Sequence, residues 1–434
     1  MLVQKSITEK KYPLSFRPTA ALDLERNLKY RHNVELVGMR RVGISNFLRF
    51  FLFNLHAQEK YLPEREKYLL ITIDLNDLIE LEILPFWMLT FKRIVDAVRS
   101  SSVSPEVKKR VDSLFVSAIQ LRDILSLIDD IRWTLSHLVA EGYLPTLLFV
   151  RFDRMQKESL PNTFFENLTS LRESADGKLS FVFTAYRNLT TLFPTLKNAL
   201  EIIPHTQYLS PGTTEDMQIY YDAAKESYDM NISQKIEQAL FRYAGGHLHL
   251  LQQALVIINE HNGQISDEKK LFALLSSDER IMLQCEELWE SLTKEEKAVV
   301  ETIIQGKVST EEEREQAKYL WNAGFVVGEK PQLFTPLFEH FVTQKQPEKK
   351  QQNDLYFTKK ENTLFITLQS KLGEICERDD IVDAVWPESQ EFGVSDWAID
   401  RLVARVRVKL RAQGNPYEIQ TIRTRGYKLT LIKE

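Results

Sequence analysis

The stretch from Val394 to Leu431 constrains the fold of this chain more than any other. Val394-Ser395-Asp396 supplies capping residues for a helix, which the spacing places from Trp397 to about Arg411. Ile399, Leu402, Val403, Val406 and Leu410 recur at helical spacing and form one buried stripe. Arg401, Arg405 and Lys409 flank that stripe on one side, and Arg407 and Arg411 on the other. Trp397, Ala404 and Val408 face outward. Gly414-Asn415-Pro416 ends the helix, and a β-hairpin is expected over Tyr417–Thr424 and Tyr427–Leu431, turning at Arg425-Gly426. A basic helix followed by a basic ribbon suits duplex DNA: the helix fits the major groove and the ribbon tip reaches the backbone or the minor groove. From Trp397 to Glu434 nine basic residues stand against three acidic ones, a balance of +6, whereas Asn353–Asp396 is acidic. Such polarity is the footprint of a one-sided binding face.

Four blocks in order carry a family resemblance. They are Phe357-Thr358-Lys359-Lys360-Glu361, Arg378–Trp386, Val394–Asp400 with Arg405–Leu410, and Ile419–Tyr427. On these blocks residues 355–431 resemble the effector domain of OmpR/PhoB-type winged-helix transcription factors. The resemblance implies double-stranded DNA as partner. Arg401 and Arg405 are assigned to base edges or flanking phosphates. Trp397 and Val408 are assigned to thymine methyls, with packing on a partner protomer as the alternative for Trp397. Arg423, Thr424 and Arg425 sit at the hairpin tip, and Lys409, Arg411 and Lys428 are expected on phosphates. Two features depart from the family. The chain leaves little room before Leu355 for an N-terminal strand platform, and no receiver domain is evident upstream, so control by phosphorylation does not carry over.

A length of 434 residues suggests two to four domains, and the net charge of −5 makes the basic C-terminal face a local feature. Cys285 and Cys376 are too isolated for a disulfide framework or a thiolate cluster, which fits a reducing cytosol. Met1–Lys11 lacks a signal-peptide core. The apolar run Phe47–Leu55 carries Arg49 and is too short for a bilayer, so no membrane partner is expected. The eight histidines show no metal spacing, and His247 and His249 read as packing or capping residues. No nucleophile motif occurs. Neither a metal site nor a catalytic residue is assigned.

Upstream, a strand over Asn33–Val37 runs into Gly38–Ser45 and a helix from Asn46 to about His56, the layout of a phosphate-binding loop. The pattern Gly-x-Arg-Arg-x-Gly resembles P-loop ATPases of the AAA+/STAND group, notably the archaeal type. That resemblance implies nucleotide contacts at Gly38, Arg40, Arg41, Gly43 and Ser45, with ADP or ATP and magnesium as candidate ligands and no cofactor firmly assigned. An ordinary strand–helix turn is the alternative. Leu69–Leu75, Thr146–Phe152 and Lys178–Arg187 read as further strands, with Thr184 in a sensor position. Helices are expected over Phe86–Arg99, Pro105–Ile119 and Leu121–Glu141. Three positions depart from the resembled ATPases: Ile44 replaces the phosphate lysine, Val150 and Arg151 (in a shifted register Asp153 and Arg154) stand at the acidic pair, and Leu248 replaces a lid proline. Three independent changes predict no meaningful hydrolysis, so the chain is expected not to be an enzyme.

Leu292–Phe341 reads as a first winged helix. With six basic against nine acidic residues over Leu292–His340, its balance of −3 repels phosphates and points to a scaffold module. The expected fold class is multidomain α/β plus α+β: a P-loop-like α/β domain with a helical lid, then two winged-helix domains. The expected boundaries are 1–207, 208–287 for the lid, 288–342, a polar linker at 343–354, and 355–434. The function expected is a cytoplasmic, sequence-specific DNA-binding regulator. Its ATPase-like module serves sensing, self-association or a protein partner. The alternatives are a nucleotide-operated switch and a protein-interaction scaffold.

Overall fold

The structure is a computed structural model. It describes residues 8–157, 160–225, 232–261, 265, 267–307, 310–345, 357–387, 394, 396–422 and 425–431, without the side chains of Trp397 and Ala412. The chain divides into two compact units. The first comprises Met1–Ile281 and Leu292–Glu339, the second Met282–Ser291 and His340–Glu434.

Five parallel strands form the centre of the first unit: β1 (Val34–Val37), β2 (Tyr68–Asp74), β3 (Leu144–Val150), β4 (Ser180–Ala185) and β5 (His205–Tyr208), in the order β2-β3-β4-β1-β5. β1, β3 and β4 are apolar runs because helices cover both faces of a parallel sheet. Glu35 is the one charged residue in these three strands. Its buried carboxylate accepts the Leu189 backbone N–H at 2.6 Å and the Asn188 side-chain amide at 2.8 Å.

Helices α1 (Pro18–Lys29), α2 (Ile44–Phe53) and α3 (Leu55–Tyr61) accompany β1. α4 (Ile83–Ser100), α5 (Pro105–Leu121), α6 (Ile124–Ala140), α7 (Asn162–Ser174) and α8 (Leu189–Leu192) follow. An apolar core links this group to the sheet through Phe86, Trp87, Phe149, Phe152 and Phe183. The helical lid is α9 (Thr214–Lys225), α10 (Gln234–Ala244), α11 (Leu248–Glu260) and α12 (Glu268–Ser277), after which comes α13 (Glu279–Glu290). None of the described helices is long and apolar enough to cross a membrane.

The first winged helix follows: α14 (Lys294–Ile304), α15 (Glu311–Gln316), α16 (Tyr319–Asn322), the hairpin β6 (Val326–Val327) with β7 (Gln332–Leu333), and α17 (Pro336–Lys345). Reciprocal side-chain caps, Thr293 with Glu296 and Thr310 with Glu313, start α14 and α15.

In the second unit α18 (Lys359–Ser370), β8 (Ile375–Glu377), α19 (Arg378–Val385), α20 (Asp396–Ala412), β9 (Tyr417–Ile422) and β10 (Gly426–Leu431) form a winged helix, with an antiparallel sheet in the order β8-β10-β9. The expected stripe of α20 is buried against Leu364, Leu368, Tyr427 and Leu429. The expected linker falls on the end of α17 and on residues outside those described.

Candidate nucleic-acid interface and phosphate loop

Five hydrogen bonds set α19 and the wing of the second unit against each other and against α20. Arg378 Nη2 donates to Asp400 Oδ1 at 2.5 Å and to the Tyr427 hydroxyl at 3.2 Å. The Tyr427 hydroxyl itself donates to Asp400, and burial first, then this bond, raises its pKa above the ordinary tyrosine range. Arg407 donates through Nε to the Ile419 carbonyl and through Nη2 to Thr421 Oγ1, each at 2.8 Å. Arg407 is therefore a strut between helix and wing.

The outer face of α20 presents Val408, 65% exposed, and an exposed Arg411. Arg425 is exposed at the hairpin, 3.3 Å from Glu377, and Lys428 is half-buried on β10. Arg401, Arg405 and Lys409 meet carboxylates instead. Arg401 Nε and Nη2 donate to Glu286 Oε1 at 3.1 and 3.0 Å, and Arg405 Nη1 stands 3.7 Å from Glu286 Oε2. Lys409 Nζ donates to Glu361 Oε2 at 2.7 Å. Arg423, Thr424 and the side chain of Trp397 lie outside the described residues. Glu286 was not legible in advance: it lies 115 positions from Arg401, and no local pattern marks it as a partner.

In the first unit the loop Gly38–Ser45 leaves β1 and enters α2. Gly43 caps α2 at φ 113°, and a Cβ there would lie 2.3 Å from Leu248 Cδ1. A Cβ on Gly38 would meet the Leu209 carbonyl at 2.7 Å, so both glycines answer to close approach. Leu248, the residue in the lid-proline position, thus packs directly on the loop. His247 caps α11. Its Nδ1 accepts the Leu250 N–H at 3.2 Å, which leaves Nε2–H to donate to the Arg40 carbonyl at 2.8 Å. Burial pushes its pKa down to about 4, so it is neutral and holds the lid to the loop.

The loop cations are arginines. The Arg40 guanidinium lies 3.8 Å over the Tyr186 ring, and Arg41 Nη1 is 3.2 Å from His249 Nε2. Ser45 is exposed in the first turn of α2. At the end of β3, Val150 is buried and Arg151 exposed; Arg151 and Arg154 both donate to Asn76 Oδ1, at 2.9 and 2.6 Å. Burial raises the Asp153 carboxyl above the ordinary range, against the pull of Arg40, Arg151 and Arg154. Thr184 Oγ1 accepts the Arg151 backbone N–H at 2.7 Å, so this hydroxyl braces β3 against β4. The loop and the start of α2 fit the diphosphate of a nucleotide. For magnesium Ser45 offers one hydroxyl. Among the described residues no cluster of His, Cys, Asp and Glu could hold a metal.

Solved structures similar to this chain include the Aeropyrum pernix ORC2 protein in ADPNP–ADP complexes, at 14% identity and TM-score 0.47 over 79% of this chain and 98% of that one. A Walker-type ATPase of Pyrococcus abyssi matches at 16% identity and TM-score 0.47, over 75% and 95%. The Aeropyrum pernix ORC1 protein in complex with DNA matches at 11% identity and TM-score 0.41, over 98% and 91%. These neighbours correct the expectation that the chain is not an enzyme. One of them is a Walker-type ATPase by name, and another was solved with ADPNP and ADP. No curated protein matches the chain. Residues 351–429 match the family model described as "Transcriptional regulatory protein, C terminal", so the C-terminal part of this chain, a winged helix by its fold, is similar to that family.

Proposed function

We propose that this chain is a sequence-specific transcriptional regulator whose second unit contacts duplex DNA and whose ATPase-like first unit serves sensing or self-association. The observation that carries the reading is α20: its apolar stripe is packed while Val408 and Arg411 stand on the outer face beside the wing. Val408 suits a thymine methyl in the major groove, and Arg411, Arg425 and Lys428 suit phosphates. Trp397, Arg401 and Arg405 belong to the base-reading set, and Arg423 and Thr424 to the wing tip. On this reading 1–207, 208–287, 288–342 and 355–434 are the working modules, joined before the last by 343–354. Fluorescence anisotropy with promoter duplexes at several salt concentrations tests the reading. Tight, salt-dependent binding with a preferred sequence is expected, and binding that ignores both salt and sequence overturns it.

A nucleotide-operated form of the same regulator is favoured by one set of contacts. Arg40 of the loop stacks on Tyr186, and the Tyr186 carbonyl accepts the Tyr319 hydroxyl of the first winged helix at 2.6 Å. Gly38, Gly43 and Ser45 would hold the diphosphate of ADP or ATP, and Arg40 and Arg41 would add charge. A bound nucleotide supplies a polyanion at the loop; Arg40 shifts toward it or stays on Tyr186. Calorimetric titration with ADP and with ATP, each with and without magnesium, tests this form, and silence in all four titrations sinks it.

A further inference from the structure

The second unit contains a helix segment from outside its winged helix in sequence. Met282–Ser291, the greater part of α13, joins this unit although the residues on either side, Ile281 and Leu292, belong to the first. Leu283 is buried in the apolar core of the winged helix, with Leu364 and Val403 in the same cluster. One helical turn further on, at the i+3 position on the same face, stands Glu286. Its carboxylate is only 13% exposed and takes both Nε and Nη2 of Arg401, with Arg405 Nη1 3.7 Å away. Arg405 Nε stands 3.5 Å from Glu361 Oε1, an ion pair without a hydrogen bond. Lys345 adds to the seating of the segment, 3.3 Å from Glu290 and 3.8 Å from Glu286.

A guanidinium fork fits a carboxylate or a phosphate in the same planar geometry, so one excludes the other. Glu361, the other acid on this side of α20, is part of the winged helix itself: it closes the cap of α18 with Thr358 and is buried. Glu286 comes from outside the winged helix and plays no such part in its fold. We propose that Glu286 is an autoinhibitory clamp on the recognition helix. While Met282–Ser291 is seated, Arg401 and Arg405 are held on a carboxylate and cannot engage a phosphate or a guanine edge. When the segment leaves, Arg401 loses its carboxylate and Arg405 keeps only the one of Glu361. The segment connects at both ends to the first unit, so a change in that unit has a covalent route to the clamp.

This inference rests on the DNA-binding reading, and its test separates the two. Anisotropy with a pool of random-sequence duplexes is measured on the full chain as wild type, Glu286→Gln and Glu290→Gln. Glu290→Gln removes the same charge from the same helix without touching Arg401 or Arg405. Release of a charge-assisted pair predicts about tenfold tighter binding for Glu286→Gln, with a steeper salt dependence, and wild-type binding for Glu290→Gln. Equal affinity of Glu286→Gln and wild type, or equal gains in both variants, overturns the clamp and leaves the DNA reading standing. Failure of all three proteins to bind overturns both. If Glu286→Gln does not fold, hydrogen exchange on the wild type decides: saturating duplex should deprotect the amides of Met282–Ser291, and unchanged protection overturns the clamp.

Discussion

Arg187 and Glu296 form a buried bidentate ion pair that fastens α14 of the first winged helix to the end of β4. Arg187 Nη1 donates to Glu296 Oε1 at 2.6 Å, and its guanidinium also lies 3.8 Å over the Tyr319 ring. Glu296 is at the same time the second half of the α14 capping box with Thr293. Breaking such a pair leaves one buried charge uncompensated. Arg187→Ala is expected to cost about 3–5 kcal/mol, and the double variant Arg187→Met/Glu296→Gln less than that. Thermal unfolding of the full chain checks the order, and equal losses in the two variants would remove the pair from this role.

Protonation of His247 should loosen the lid. Its folded-state pKa is pushed down to about 4 by burial, while an unfolded histidine titrates near 6.5. The unfolded chain therefore binds more protons between these values. The stabilisation is fully present above about pH 6.5 and is lost as pH falls toward 4, amounting to about 3 kcal/mol at most. His247→Asn keeps a capping residue and removes the titration. Its melting temperature should fall less between pH 7.5 and pH 4.5 than that of the wild type.

Gly43→Ala meets two obstacles, a left-handed φ of 113° and Leu248 Cδ1 at 2.3 Å from the new methyl. A loss of about 1–3 kcal/mol is expected. Adding Leu248→Ala relieves the collision but not the backbone strain, so the pair should recover part of the loss. Full recovery would show that the backbone angle carries no cost.

Val408→Asp places a carboxylate on the exposed face of α20 without entering its core. DNA affinity should fall at least about tenfold with unchanged thermal stability. Lys428→Ala should weaken cognate and random duplexes alike and flatten the salt slope by about one unit. Unchanged binding in the Val408→Asp variant would place the DNA on another face.

The expected helix of α20 and its stripe were legible because Ile399, Leu402, Val403, Val406 and Leu410 repeat with the pitch of the helix. β1, β3 and β4 were legible for a similar reason, since strands buried on both faces are written as apolar runs. β5 carries no such run. His205-Thr206-Gln207-Tyr208 is polar, and it becomes a strand by pairing with β1 at the edge of the sheet. The break after Phe53 was also missed, where Asn54 starts α3 by accepting the Ala57 N–H and donates to the carbonyls of Lys10 and Tyr12.

Local repetition along the chain thus determined which segments fold and which residue types stand on each face. Partners far apart in sequence leave no periodic trace, so tertiary structure alone decided them. Glu286 reaches Arg401 across 115 positions, and His247 reaches the Arg40 carbonyl across 207. Arg401, Arg405 and Lys409 share one side of α20 by their spacing, but a charge attracts whichever opposite charge the fold brings nearest. In the folded chain that charge is a carboxylate of the protein itself.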